Sequence, residues 1–159
     1  MSRKGKQGRR KKAGKATENA PPVQSASPSL KQQAPTIQQS LDFAVQHHTA
    51  GRLPEAESIY QQILQADPNQ PVALHLLGVI ALQVGKNDIA VDLITKALAI
   101  KPDYVEAHNN LGLAFQGLGK LDEAVSNFYK ALALKPDLPG VWFNLHVTLF
   151  DTADLEPAA

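Results

Sequence analysis

One spacing constrains this chain more than anything else in it: small, aromatic and proline residues return at the same places every 34 residues. The clearest copy runs from Val105 to Leu138, with Leu111, Gly112 and Phe115, then Gly119, then Ala124, Phe128 and Ala131, and finally Pro136. One period earlier stand Leu77, Gly78 and Ala81, Gly85, Ala90, Ile94 and Ala97, and Pro102. A looser copy keeps Phe43, Ala44, Gly51, Ala56, Tyr60, Ile63 and Pro68, and a fourth begins with Trp142, Leu145 and Leu149. A fixed period of this length is the mark of a stacked-repeat architecture, in which no unit buries its apolar face alone.

Within each period the apolar spacing predicts two amphipathic helices. First helices are expected at 37–50, 71–84, 105–118 and 139–150, and second helices at 53–66, 87–100 and 121–134. Gly51, Gly85 and Gly119 fall where a first helix ends and positive φ is needed. Asn87 is placed to cap the second helix of its unit, and Pro68, Pro102 and Pro136 force an extended step into the next unit. Gly78 and Gly112 lie inside helices, where each costs about 1 kcal/mol against Ala. Close approach of the paired helix at Ala90 and Ala124 is the expected compensation. The chain therefore divides into a tail (1–36), a divergent first repeat (37–70), repeats at 71–104 and 105–138, the first helix of an incomplete fourth (139–150) and a short end (151–159).

These phased glycine, alanine, aromatic and proline positions resemble the tetratricopeptide repeat family over Ile37 to roughly Phe150. The first copy departs from the family pattern at Ser40 and His47, and the fourth at His146. The resemblance implies an all-α, right-handed α-solenoid whose first helices line a concave groove. One row of that groove is apolar (Val45, Val79, Leu113, Val147), and beside it run Asp42, Leu76, Asn110, Asn144 and Leu41, His75, Asn109, Phe143. An asparagine amide offers a donor and an acceptor to a peptide backbone. Asn110 and Asn144, 34 residues apart, are expected to stack. In AHNNLG and VWFNLH they are similar to the asparagine ladder of O-linked N-acetylglucosamine transferase repeats, and the implied partner is an extended peptide or partner helix. Another branch of the family clamps chaperone carboxylates with Lys and Arg; the groove rows hold neither, and that partner is rejected.

Charge divides the chain at the same boundary as the period. Residues 1–36 carry nine Lys or Arg against one acid, and the remainder carries seven against fourteen. Pro21, Pro22, Pro28 and Pro35 with Ser and Gln mark residues 1–36 as a solvated, disordered segment. Its basic start, including Arg9, Arg10, Lys11 and Lys12, has two readings: sequence-independent phosphate contact with RNA, DNA or another anion, or a solubilising tail. No apolar run follows it, so a secretory signal is not expected. Nor does any stretch match a membrane span. The expected location is cytoplasmic.

Little else suggests chemistry. The chain has no cysteine, which removes thiolate catalysis, disulfides and sulfur-ligated metal. His47, His48, His75, His108 and His146 have no carboxylate at ligand spacing, so neither metal nor cofactor is expected. Gly117 to Lys120 lacks the spacing and hydroxyl of a phosphate loop. The chain thus reads as an interaction module rather than an enzyme. The alternative is the substrate-recruiting region of a larger glycosyltransferase, sulfotransferase or methyltransferase, favoured by the half-unit that leaves Trp142, Phe143, Leu149 and Phe150 uncovered. That end is expected to self-associate or to continue into a missing helix. For the basic start, the discriminating measurement is RNA or DNA binding at two salt concentrations with and without residues 1–15. Phosphate contact predicts affinity that falls steeply with salt and disappears with the deletion; a solubilising tail predicts no difference.

Overall fold

In the computed structural model, residues 34–155 are described, with side chains to residue 153. They form seven α-helices: α1 (Ile37–Thr49), α2 (Leu53–Ala66), α3 (Pro71–Gln83), α4 (Asn87–Ile100), α5 (Val105–Gly117), α6 (Leu121–Leu134) and α7 (Pro139–Leu155). Consecutive helices pack in antiparallel pairs that stack into an all-helical solenoid. The basic start of the chain, with Arg9, Arg10, Lys11 and Lys12, lies outside the described residues.

Chain reversal inside each pair has one cause. Gly51, Gly85 and Gly119 adopt φ of 74°, 75° and 72°, a region costly for a side chain bearing Cβ. Each turn then closes the same two bonds. Gly51 N–H donates to the His48 carbonyl and Arg52 N–H to the His47 carbonyl; the pairs recur at Gly85 and Lys86, and at Gly119 and Lys120. Such bonds satisfy carbonyls left without partners at a helix end.

Packing inside the pairs explains the mid-helix glycines: at Gly78 the expected approach of Ala90 is present, its carbonyl 3.4 Å from where a Cβ would stand, but the nearest atoms belong to the large residue of the second helix. A Cβ at Gly78 would stand 2.6 Å from Ile94 Cγ1, and one at Gly112 would stand 2.6 to 2.9 Å from three ring atoms of Phe128. The large residue of the second helix enters the gap, and Ala90 and Ala124 lie fully buried one turn earlier. In the first repeat Ala44 and Tyr60 occupy the equivalent positions, both with no exposure.

The core forms three clusters, each crossing a repeat boundary. The first joins α1, α2 and α3 through Ala44, Tyr60 and Ala73. The second joins α3, α4 and α5 through Ala81, Ile94 and Leu111. The third joins α6 and α7 through Phe128, Val141 and Leu145, with Leu113 and Phe115 of α5 packed against them. Every second helix is thus held between its own first helix and the next one.

Two local expectations need correction. Asn87 does not cap α4: Lys86 is the N-cap residue and makes no side-chain cap bond. The Asn87 side chain instead lies against Gly117 of the next repeat, where a Cβ would meet it at 2.4 Å. The last helix also runs through Leu155, beyond the limit of 150 read from the period; Asp151 to Leu155 continue it without a breaker. Trp142, Phe143, Leu149 and Phe150 remain 41 to 68 % exposed.

Filling the Gly112 gap should be destabilising. Overpacking a core costs about 1–3 kcal/mol, more than the ~1 kcal/mol of helix propensity that Gly112→Ala gains. Chemical denaturation should show a lower midpoint for Gly112→Ala and loss of the cooperative transition for Gly112→Leu.

Candidate functional site

First helices approach one another along the stack: α3 packs on α5 and α5 on α7. Second helices make no comparable approach to each other among the described residues. The side on which neighbours crowd is the inner side of a curved stack, so the first helices form the concave face.

That face carries most of the expected residues. Val45 is exposed, Val79, Leu113 and Val147 are half-buried, and Phe143 is 68 % exposed. Asn109, Asn110 and Asn144 are half-buried. Two expected wall residues face elsewhere: Leu41 belongs to the first core cluster, and His75 is only 3 % exposed.

His75 is the centre of a hydrogen-bonded chain that spans three first helices. Its Nε2 lies 2.9 Å from the Asn110 Nδ2 donor, and its Nδ1 lies 2.9 Å from the Tyr104 hydroxyl. Asn109 Nδ2 donates to Asn110 Oδ1 at a long 3.5 Å. Asn144 Nδ2 donates to Asn109 Oδ1 at 3.1 Å. Asn110 and Asn144 therefore do not pair directly; Asn109 stands between them.

The contact offset has a geometric origin. His75 meets Asn110, Asn109 meets Asn144, and His48 Nε2 meets Gln83 Oε1 at 3.0 Å, each across 35 residues. Residues exactly one period apart point the same way from parallel helices and cannot face each other. One further residue turns the side chain by about 100° around the axis, towards the neighbour. Tyr104 escaped the sequence reading because it precedes α5 as its N-cap residue, outside the helical periodicity. Its ring also packs edge-on to His75, with centroids 4.5 Å apart.

Burial lowers the His75 pKa from 6.5 to about 4, with Glu106 opposing the shift, because desolvation disfavours the imidazolium. The imidazole is neutral at pH 7, which leaves one ring nitrogen free to accept.

A depression also opens on the other face. A cleft of about 630 Å³ lies between α4 and α6, lined by Leu98, His108, Phe115, Asn127 and Lys130 among others. There His108 Nε2 sits 2.8 Å from the Pro102 carbonyl and its Nδ1 3.4 Å from Asn127 Oδ1. His75 and His108, close in repeat phase, thus serve opposite sides. Among the described residues, no three His, Asp or Glu side chains converge as a metal site, and no helix is long and apolar enough to cross a membrane.

Paired helices, glycine reversals and shared clusters define a helical-repeat solenoid. Models of the tetratricopeptide repeat match residues 47–113 and 105–138, together more than half of the chain, and the protein belongs to that family. No curated protein matches it. Among solved structures it is similar to a mutant O-GlcNAc transferase of Thermobaculum terrenum, at 29% identity and a TM-score of 0.69 over 71% of this chain. It spans only 22% of that transferase. The first repeat domain of Spaghetti (RPAP3), solved with the HSP90 peptide SRMEEVD, matches at 23% identity and a TM-score of 0.71, over 74% of this chain and 93% of that one. MamA from Desulfovibrio magneticus RS-1 matches at 20% identity and a TM-score of 0.69, over 75% and 67%. The last two likenesses are of fold alone.

The His75 environment makes stability pH-dependent. Unfolded, the imidazole takes a proton near pH 6.5; folded, it does so only near 4. Stability from this group is therefore complete above 6.5 and declines as pH falls towards 4, by at most about 3 kcal/mol. Denaturation from pH 7 to 4 should show this slope in the native chain and its loss in His75→Gln.

Proposed function

We propose that this chain is a protein–protein interaction module that holds an extended peptide or partner helix in the concave groove of its first helices. The observation that carries the reading is the amide row of Asn109, Asn110 and Asn144, half-buried and joined across α5 and α7, beside the apolar row of Val45, Val79, Leu113 and Val147. Apolar walls hold side chains while fixed amides meet main-chain groups, the division of labour expected of peptide recognition.

The partner's chemistry is limited by charge. None of the four first helices, from α1 to α7, contains Lys or Arg. An acidic chain terminus of the kind in the RPAP3 complex would find no cation on these helices, so a neutral segment is the preferred ligand. The cytoplasm is the proposed location.

A second reading is favoured by one observation. The 29% identity to the Thermobaculum transferase falls on a part of that enzyme only, and the asparagine pattern is of the kind such transferases carry. In this reading the repeats are the substrate-recruiting region of a larger transferase, and the amide row receives the substrate's main chain. Exposed Trp142, Phe143, Leu149 and Phe150 on α7 offer a surface for a following helix or for a second copy. Sedimentation with Trp142→Ser separates the two: loss of a concentration-dependent dimer supports the second copy.

A peptide recovered from a random library on the intact chain provides the test of the groove. Asn110→Ala and Asn144→Ala should each weaken it by about 1 kcal/mol, near fivefold in Kd, by isothermal titration. Contacts mapped to α4 and α6 instead would end the groove reading.

A further inference from the structure

The hydrogen bonds of the groove network all run in one direction. Asn144 donates to Asn109, Asn109 to Asn110, and Asn110 to Nε2 of His75. A ring nitrogen that accepts carries no hydrogen, so the single proton of neutral His75 is on Nδ1, where it is donated to the Tyr104 oxygen 2.9 Å away. His75 lies on α3 and Tyr104 just before α5, and neither is one of the asparagines of the amide row.

Reversing this one proton would reverse the row. With hydrogen on Nε2, imidazole and Asn110 would face each other as two donors, and the Asn110 amide would have to turn. Its nitrogen would then face that of Asn109, which would turn in its place, and Asn144 after it. The position of one buried proton therefore sets the orientation of three amides on the concave face.

That orientation has a consequence for ligands. The carbonyls of Asn109 and Asn110 are each engaged by a neighbour's N–H, while each of the three asparagines retains a second N–H beyond the bond it makes in the chain. An amide that accepts at oxygen is polarised into a stronger donor at nitrogen. For a main chain the row keeps both kinds of group: one N–H on each asparagine, a second lone pair on the oxygens of Asn109 and Asn110, and the Asn144 oxygen, all of them uncharged. A carboxylate gains no ion pair from these first helices, whereas a main-chain carbonyl suits neutral donors.

We propose that His75 and Tyr104 form a positioning pair that fixes the direction of the amide row, and with it which end of each amide a bound peptide main chain meets. This inference rests on the peptide-groove reading for its ligand but not for its proton. The His75 proton sits on Nδ1, the less common neutral tautomer of free histidine, because the Tyr104 oxygen accepts it and the Asn110 amide needs the other nitrogen bare.

Nitrogen-15 NMR of the intact chain at pH 7 tests the pair without any ligand. His75 should show a protonated, pyrrole-like shift at Nδ1 and a pyridine-like shift at Nε2. Tyr104→Phe, which removes the acceptor and keeps the ring, should shift the population towards Nε2–H and move the side-chain NH2 signals of Asn110, Asn109 and Asn144. A purely structural role for Tyr104 would leave the tautomer where it was, and that result overturns the pair. An Nε2–H tautomer in the native chain overturns the whole inference. The ligand half measures the library peptide on Tyr104→Phe by isothermal titration. The Kd should rise about fivefold; unchanged or tighter binding overturns the link between the direction of the row and the peptide. Failure to recover any groove-bound peptide would overturn the groove reading and that link together, while the tautomer still decides the pair.

Discussion

Everything in this solenoid depends on how closely the two helices of a pair approach. The approach is possible because Gly78 and Gly112 present bare backbone to Ile94 and Phe128, with no room for even a methyl group. Helix propensity argues against glycine there, and the packing of a large side chain into the gap outweighs it. Ala44 against Tyr60 is the same device one size up, and it leaves the buried Tyr60 hydroxyl with no partner among the described residues. The pair is thus a complementary fit of a small residue with a large one, repeated with different members.

Fixing the pairs fixes the spacing of the first helices, and that spacing creates the site. With second helices held apart on the outside, first helices crowd on the inside closely enough for side chains to bond across repeats. Burying an imidazole, a phenol and three amides would be costly if they were unpaired. Here each finds a partner in the chain from Tyr104 to Asn144. The groove is therefore part of the stacking interface, and in the proposed function its polar residues serve stability and recognition together.

The fold was legible in the sequence because the period is written several times over. Gly51, Gly85 and Gly119 marked the reversals, and the second helices fall at the residues the apolar pattern gave them. Where one local sign was read without its neighbours, the reading failed. Asn87 looked like a cap, yet its side chain lies on Gly117, a residue 30 positions away whose relevance only packing reveals. At the site, the asparagines and valines could be found by phase, but their bonding could not. Equal phase suggests that Asn110 meets Asn144; rotation about two parallel axes brings Asn109 to Asn144 and His75 to Asn110 instead. Tyr104 carried no periodic signal, and the burial of His75 depends on that ring.

The shared core clusters give the chain a gradient along its length. α3 and α5 each belong to two clusters, whereas α1 and α7 belong to one. Local opening in a linear array begins where one interface rather than two must be broken. The ends should therefore exchange their amide hydrogens before the middle does, and the boundary of a cooperative unit should fall inside a 34-residue period rather than between periods. Tyr104, His75, Asn110 and Asn109 all lie in or beside the two doubly held helices, where the least fraying is expected. The proposed binding surface is thus placed on the part of the solenoid that opens last.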